Sequence, residues 1–281
     1  MDKIIVLEDC LTSKNIDRLY RFYSRASIWR GYTECNELLP HAANYDMEHV
    51  YEYDKNVSNR DKERFLVGEI QRVFYYFDIE NTNGNYPFPT PRIFDNNFYQ
   101  PLAQSESDFF KGMEFYPSSD RDLLQVLSFV QHKHQGTSLI DFSENPFKAL
   151  FFAIGKEPSK DSHLLGINTT LLTTYKNNGF HIYKPTYFLN KRIQHQNGLF
   201  LYEKIPLTEG VPKDAKYKNV LCVLQDISSI RRLETKNLSY CDSPEDFDCL
   251  YCHLTIPSSA KPELSAILKS MGITKEYLLD C

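Results

Sequence analysis

No apolar run in this sequence is longer than a strand or the buried stripe of one helix, and that limit decides most of what the chain can become. Five short segments, Leu164 to Ile167, Phe180 to Tyr183, Gly198 to Tyr202, Val220 to Leu224 and Cys249 to Ile256, are apolar and bounded by turn residues. Each predicts a strand. Elsewhere the apolar residues return at helical spacing: Ile16, Leu19, Tyr20 and Tyr23 behind Thr12 and Ser13, and Phe65, Ile70, Val73 and Phe77 after Ser58. The mixture predicts an α+β fold, with a mixed or antiparallel sheet and flanking helices. A length of 281 residues, 42% of them hydrophobic, suffices for a substantial core, and no Gly/Ser-rich or Pro-rich linker divides it. One main domain over 1–281 is therefore expected.

Further signals place the remaining elements. Ser27 to Tyr32 reads as a strand. Residues 81–101, with Pro87, Pro89, Pro91 and Pro101 among several Asn, break all periodicity and predict a long loop within an insertion of about 81–118. Ser119 and Asp122 form a capping box for a helix through Leu123, Leu127 and Val130. Thr137 to Asp141 then reads as a strand, and Ser143 as the cap of a helix with Pro146 in its first turn. A last helix starts at Ser258 or Ser259, runs through Leu264, Ile267 and Leu268, and is closed by Gly272.

A net charge of -5 lacks the basic field of a non-specific nucleic-acid binder, although Arg18, Arg21 and Arg25 could make a local patch or a solvated face. The run Ile4 to Leu7 is too short for a signal peptide and no segment reaches membrane-spanning length, so a cytoplasmic protein is expected. Seven scattered cysteines fit reduced thiols. Cys249-Leu250-Tyr251-Cys252-His253 matches the spacing of c-type haem attachment, but without an export signal it reads as strand, with the two cysteines on opposite sides because their separation is odd.

Two constellations could carry chemistry. Trp29-Arg30-Gly31 sets a planar, always charged fork beside a residue that lets a backbone or a ligand come close; Arg30 suits a phosphate or carboxylate, or else pairs with an Asp at the core edge. The segment Gln131 to Ser143 gathers His132, His134, Thr137, Ser138, Asp141 and Ser143 around one strand, the makings of a ligand site. Asp141 could equally be a structural carboxylate. Two histidines do not complete a coordination shell, and no metal is expected.

These residues resemble the FRG-domain family, named for an aromatic-Arg-Gly motif, here Trp29-Arg30-Gly31 followed by Leu38-Leu39-Pro40. The second block of the family is matched by Gln131, His132, Thr137, Leu139 to Ser143, Asn145, Pro146 and Ala149 to Ala153. A third block is matched by Arg192, Ile193, Gln196, Gly198 and Phe200, and a C-terminal block by Thr255 to Pro257, Lys261 and Met271 to Thr274. His134 and Gly136 depart from the usual pattern, which leaves the turn before Thr137 open.

The resemblance implies an effector of bacterial defence or toxin systems. The order of a strand-borne Arg, a hydroxyl-bearing strand leading into a helix and a late Gln motif is similar to ADP-ribosyltransferases, whose split sheet clasps NAD. By that analogy NAD is the substrate, Arg30 and Gly31 hold its phosphate or ribose, and Thr137, Ser143 and Gln194 line the nucleotide. Arg30, His132, Asp141 and Gln196 would then serve catalysis. Gln cannot act as a general base where many such transferases place a Glu, and Glu203 would need an unusual turn to stand in. The expected partners are a nucleic-acid or protein acceptor and an antitoxin or chaperone, with no membrane. The alternatives are a non-catalytic nucleotide- or partner-binding sensor and a ribonuclease-like toxin working through His132 and His134.

Overall fold

The computed structural model describes residues 4–20, 27–39, 124, 127–128, 131, 137, 139–174, 180–185, 191–203, 219–237 and 249–279. The expected helix after Ser58, the loop of 81–101, the Ser119 box and residues His132 and His134 lie outside them. Contacts cluster the chain into two units, residues 1–39, 140–201 and 218–281 in one, residues 40–139 and 202–217 in the other.

The first unit is built on the strands β1 (Ile5–Cys10), β2 (Ser27–Tyr32), β3 (Ile140–Ser143), β4 (Ser162–Asn168), β5 (Phe180–Tyr183), β6 (Gly198–Glu203), β7 (Glu234–Lys236) and β8 (Cys249–Ile256). They form one sheet in the order β5-β6-β3-β2-β4-β8-β1-β7. The sheet is mixed and open, as an α+β reading requires: β1 runs parallel to β7 and β8, while β2 with β4, β4 with β8, and β3 with β6 are antiparallel. Ile4 to Leu7, weighed in the sequence only as a leader, opens the buried strand β1, whose branched residues fit a pleated surface covered on both sides.

Alternation along the strands sends side chains into two apolar clusters. Leu7, Trp29, Leu164 and Leu254 belong to one cluster, covered by α1 (Pro146–Gly155) and by α5 (Lys261–Ser270). Val6, Ile28, Tyr32, Leu165 and Ile167 belong to the other, covered in part by α4 (Val220–Arg231). Shorter helices α2 (Thr169–Thr174), α3 (Lys191–Gln196) and α6 (Lys275–Leu279) complete the unit.

Four local expectations are corrected. The segment Val220 to Leu224 is helical, not a strand: Asn219 Oδ1 accepts the N–H groups of Leu221 and Cys222, and the buried Val220, Leu221 and Leu224 keep helical rather than alternating spacing. The helix after Thr12 opens as a 3-10 turn, Ser13–Arg18, before turning α-helical at Leu19 and Tyr20, and of its expected apolar face Ile16 and Leu19 are buried while Tyr20 is exposed; Tyr23 lies outside the described residues. The cap of α1 is Asn145, whose Oδ1 accepts from Phe147 and Lys148 N–H, with Pro146 where a missing N–H costs nothing. Cys249 and Cys252 face the same cluster, because a register shift puts Ile5 opposite Cys249 but Val6 opposite Tyr251, and the extra residue reverses the parity.

The C-terminal expectation holds in detail. Gly272 takes φ +77, Gly272 N–H donates to the Lys269 carbonyl and Ile273 N–H to that of Leu268. That is the Schellman pattern closing α5.

Candidate functional site

The aromatic-Arg-Gly motif occupies the middle of β2, and alternation splits its three residues between the faces. Trp29 and Gly31 point toward α1. A Cβ at Gly31 would lie 2.2 Å from the Ala149 carbonyl oxygen and 2.6 Å from Ala153 N, so the close approach that glycine permits is that of a helix. Trp29 lies over Gly166, its register partner in β4, where a Cβ would meet the indole at 2.4 Å. Gly31 therefore lets α1 pack closely onto β2.

Arg30 falls on the other face and is nine-tenths buried. Its Nε donates to the Glu37 carbonyl at 3.0 Å, and its Nη1 donates to the Asp141 carbonyl at 2.5 Å. The Asp141 carboxylate stands 3.9 Å from Nη1 with its side chain 43% exposed. Burial pulls the Arg30 pKa down, against the opposing pull of Asp141 and then Glu37. Between β2 and β3 a single register pair, Trp29 with Ser143, joins the strands, and Arg30 reaches across beyond it. Nη2 of Arg30 donates to no described group. Two fixed N–H groups thus orient the guanidinium and leave one edge for an anion.

Glu37 belongs to the 3-10 turn Cys35–Leu38. Its Oε1 accepts from Thr33 and Glu34 N–H, and its carboxylate pairs with Lys156 just past α1. Those bonds hold its pKa low although burial alone would raise it. The turn is pinned from α4 as well, Asn219 Nδ2 donating to the Cys35 carbonyl at 2.7 Å.

The other expected residues are spent largely on structure. Thr137 precedes β3 rather than lying in it: its N–H and Oγ1 both donate to Gln131 Oε1, at 3.1 and 2.7 Å, and its Oγ1 accepts from Leu139 N–H. The strand begins at Ile140 because that hydroxyl and amide bracing occupies the backbone before it. Ser143 Oγ donates to the Gln196 carbonyl at 2.6 Å and accepts from Asn145 N–H. Gln196 Nε2 donates to the Leu278 carbonyl, tying α3 to α6, while Gln194 is exposed on α3. Asp141 and Ser143 are thus brought to Arg30 and its neighbour Trp29, whereas Gln194 and Gln196 are not joined to Arg30 by any described bond.

Sequence reasoning missed a second group on the Arg30 face. Cross-strand register aligns Arg30, Leu165, His253 and Glu8 in one row, and Tyr32, His163, Thr255 and Cys10 in the next. The rings of Tyr32, His163 and His253 stack with centroids 5.1 to 6.1 Å apart, and Tyr32 Oη lies 2.8 Å from His253 Nε2. Burial, reinforced by His163, pulls the His253 pKa down to about 4, and burial also lowers His163 against the opposing pull of Asp161. The signal lay in odd places: His253 ends the haem-like spacing and Tyr32 follows the glycine of the motif. Only strand register unites them. Among the described residues no group of three side chains is arranged to hold a metal, and no helix is long and apolar enough to cross a membrane.

The family model of the FRG domain matches residues 25–162, which takes in the motif on β2, the Gln131 to Ser143 segment and α1. The blocks at Arg192 to Phe200 and Thr255 to Thr274 lie beyond the matched residues. No curated protein and no solved structure matches the chain.

Proposed function

This chain carries an FRG domain over residues 25–162, and from that premise we propose that it is an intracellular effector, of the toxin or phage-defence kind, that transfers ADP-ribose from NAD to a nucleic acid or a protein. The observation that supports this reading is Arg30: a nine-tenths buried guanidinium, oriented by two backbone carbonyls where β2 and β3 part, with the Asp141 carboxylate beside it. Oriented donors with little water around them suit a pyrophosphate, because they need no rearrangement to meet its charge. The transfer breaks the bond between ribose C1′ and the nicotinamide nitrogen, and nicotinamide leaves with the bonding electrons. The acceptor's oxygen or nitrogen bonds to C1′ and gives up its proton, which the partly exposed Asp141 carboxylate, 3.9 Å from Arg30 Nη1, would accept.

A second reading, a nucleotide-binding sensor without turnover, is favoured by a separate observation. Ser143 and Gln196, expected at the nucleotide, have bonds inside the fold. The ribonuclease-like reading depends on His132 and His134, which lie outside the described residues.

Incubating the full chain with NAD and a cell extract tests these readings together. Nicotinamide release with a labelled acceptor, lost in Arg30→Gln, is the expected result. Saturable NAD binding without release would favour the sensor, and no NAD binding at all would end both.

A further inference from the structure

We propose that Cys35 and Cys222 are the two halves of a reversible disulfide that locks the turn presenting the Glu37 carbonyl to Arg30. The lock needs neither NAD nor transfer, so its test is independent of the function proposed above.

Both thiols are free and exposed, and one side chain stands between their main chains. Asn219 Nδ2 donates to the Cys35 carbonyl at 2.7 Å, and Asn219 Oδ1 accepts from Cys222 N–H at 3.3 Å. Cys222 is the third residue of α4, where a side chain leans back toward the N-cap, the end at which the turn Cys35–Leu38 is bound. The Cys35 thiol lies on the same side. As a thiolate its charge adds to the burial that raises the Tyr32 pKa, which puts it within electrostatic reach of a phenol that shares one apolar cluster with Val220, Leu221 and Leu224 of α4.

The other described thiols stand elsewhere. Cys249 and Cys252 are buried in the cluster on the opposite face of the sheet. Cys10 ends the row Tyr32, His163, Thr255, Cys10, three strand spacings or about 14 Å from Tyr32. A disulfide needs the Cα atoms of Cys35 and Cys222 about 4–7 Å apart. The turn can supply the motion that closes them, because on its other side it is held by surface ion pairs, Glu34 with Lys160 and Glu37 with Lys156, which contribute little free energy.

The oxidant is a peroxide. One thiol takes an oxygen atom from hydrogen peroxide, giving a sulfenic acid and water; the second thiol attacks that sulfur, the S–O bond breaks and another water leaves. Two thiols and one peroxide thus yield one disulfide and two waters, and a dithiol reverses the bond by exchange. Glu37 lies two residues after Cys35 in the same turn, so the crosslink ties to α4 the carbonyl that orients the guanidinium. Oxidation thereby sets how firmly Arg30 is held.

The test is treatment of the native full chain with hydrogen peroxide, alkylation of the remaining thiols with iodoacetamide, digestion without reductant and mass spectrometry. The expected product is a linked peptide pair joining Cys35 to Cys222, dominant over every other pair, lost after dithiothreitol and lost in Cys35→Ser and in Cys222→Ser. The same treatment in urea should scatter the links among many pairs. Amide exchange at Glu37 and Leu39, whose N–H groups close the turn onto the Glu34 and Asn36 carbonyls, should slow on oxidation and recover on reduction. Cys35 and Cys222 left unlinked in the native chain, or linked no more often than in urea, overturns the pairing. A link between them that leaves exchange at the turn unchanged overturns the lock.

Discussion

Arg30 gives two N–H groups to backbone carbonyls 104 residues apart in sequence, those of Glu37 and Asp141, and a lysine in its place lacks the rigid planar fork, with its separate Nε and Nη1 donors, that meets both from this position on β2. Arg30→Lys should therefore cost stability as well as ligand affinity, on the order of 1–3 kcal/mol in urea unfolding, since a buried carbonyl loses its charged donor. An unchanged midpoint would mean that the turn at Glu37 and the strand at Asp141 hold themselves. Asp141→Asn should behave otherwise. Its contribution to Arg30 runs mainly through the main chain, and the carboxylate is well exposed at 3.9 Å, so the cycle with Arg30→Gln should return a coupling below about 1 kcal/mol in stability. Coupling in turnover with little coupling in stability is the pattern that a shared site would leave.

The same scale fixes a pH dependence. His253 has a folded-state pKa of about 4, below the ordinary 6.5, so the native state favours its neutral form and binds fewer protons than the unfolded chain between those values. Stability from this group is complete above pH 6.5 and is lost as the pH falls toward 4. His163 works in the same direction, opposed by Asp161, and the Glu8 carboxylate stands opposite His253 on β1. Urea midpoints at pH 7, 6, 5 and 4.5 should fall for the wild-type chain and fall less for His253→Phe. Parallel curves for the two proteins would show that the imidazole does not govern acid stability.

At the level of elements, the motif that marks the family is explained by packing on one side and by polar bonds on the other. Gly31 exists for α1. Gly31→Ala would drive a methyl group to 2.2 Å from the Ala149 oxygen, contact with backbone that no side-chain rotation relieves, so α1 must lift from the sheet. A loss of roughly 2–4 kcal/mol is expected, read by thermal or urea unfolding. Asn145→Ala should cost about 1 kcal/mol through the lost cap. Local chemistry of this kind was partly legible in the sequence: Pro146 announced the first turn of α1 and Gly272 the end of α5. The cap was assigned to Ser143 because a serine and an asparagine two residues apart satisfy the same rule, and only the bond from Ser143 to the Gln196 carbonyl tells them apart. Val220 to Leu224 was misread for a related reason, since a five-residue apolar window suits both periods, and the decisive residues, Asn219 and the polar positions after Gln225, lie outside it.

Across the first unit, what the sequence could not disclose is which strands meet. β1 lies between β8 and β7, joining Ile5–Cys10 to segments more than two hundred residues later, and nothing in the local pattern of either segment names the other. The row that places His253 on the Arg30 face depends on β2 pairing with β4 and β4 with β8, so the stack of Tyr32, His163 and His253 appears only with the topology. The bulge that turns Cys249 and Cys252 to one side is equally a property of pairing, not of either strand alone. This order also makes the sheet depend unequally on its ends. Removing residues 1–11 takes away β1 and leaves β7 without its described neighbour, but β5, β6, β3, β2, β4 and β8 remain in line. Removing residues 249–281 takes β8, separates β4 from β1, and strips Leu254, Ile256, Leu264 and Leu268 from one cluster and Leu250 and Tyr251 from the other. The first truncation should still unfold in one cooperative urea transition at a lowered midpoint, whereas the second should bind a hydrophobic dye and unfold without a sharp transition, because both faces of the sheet have lost part of their cover. A sharp transition after removal of 249–281 would mean that the remaining strands form a core independent of β8.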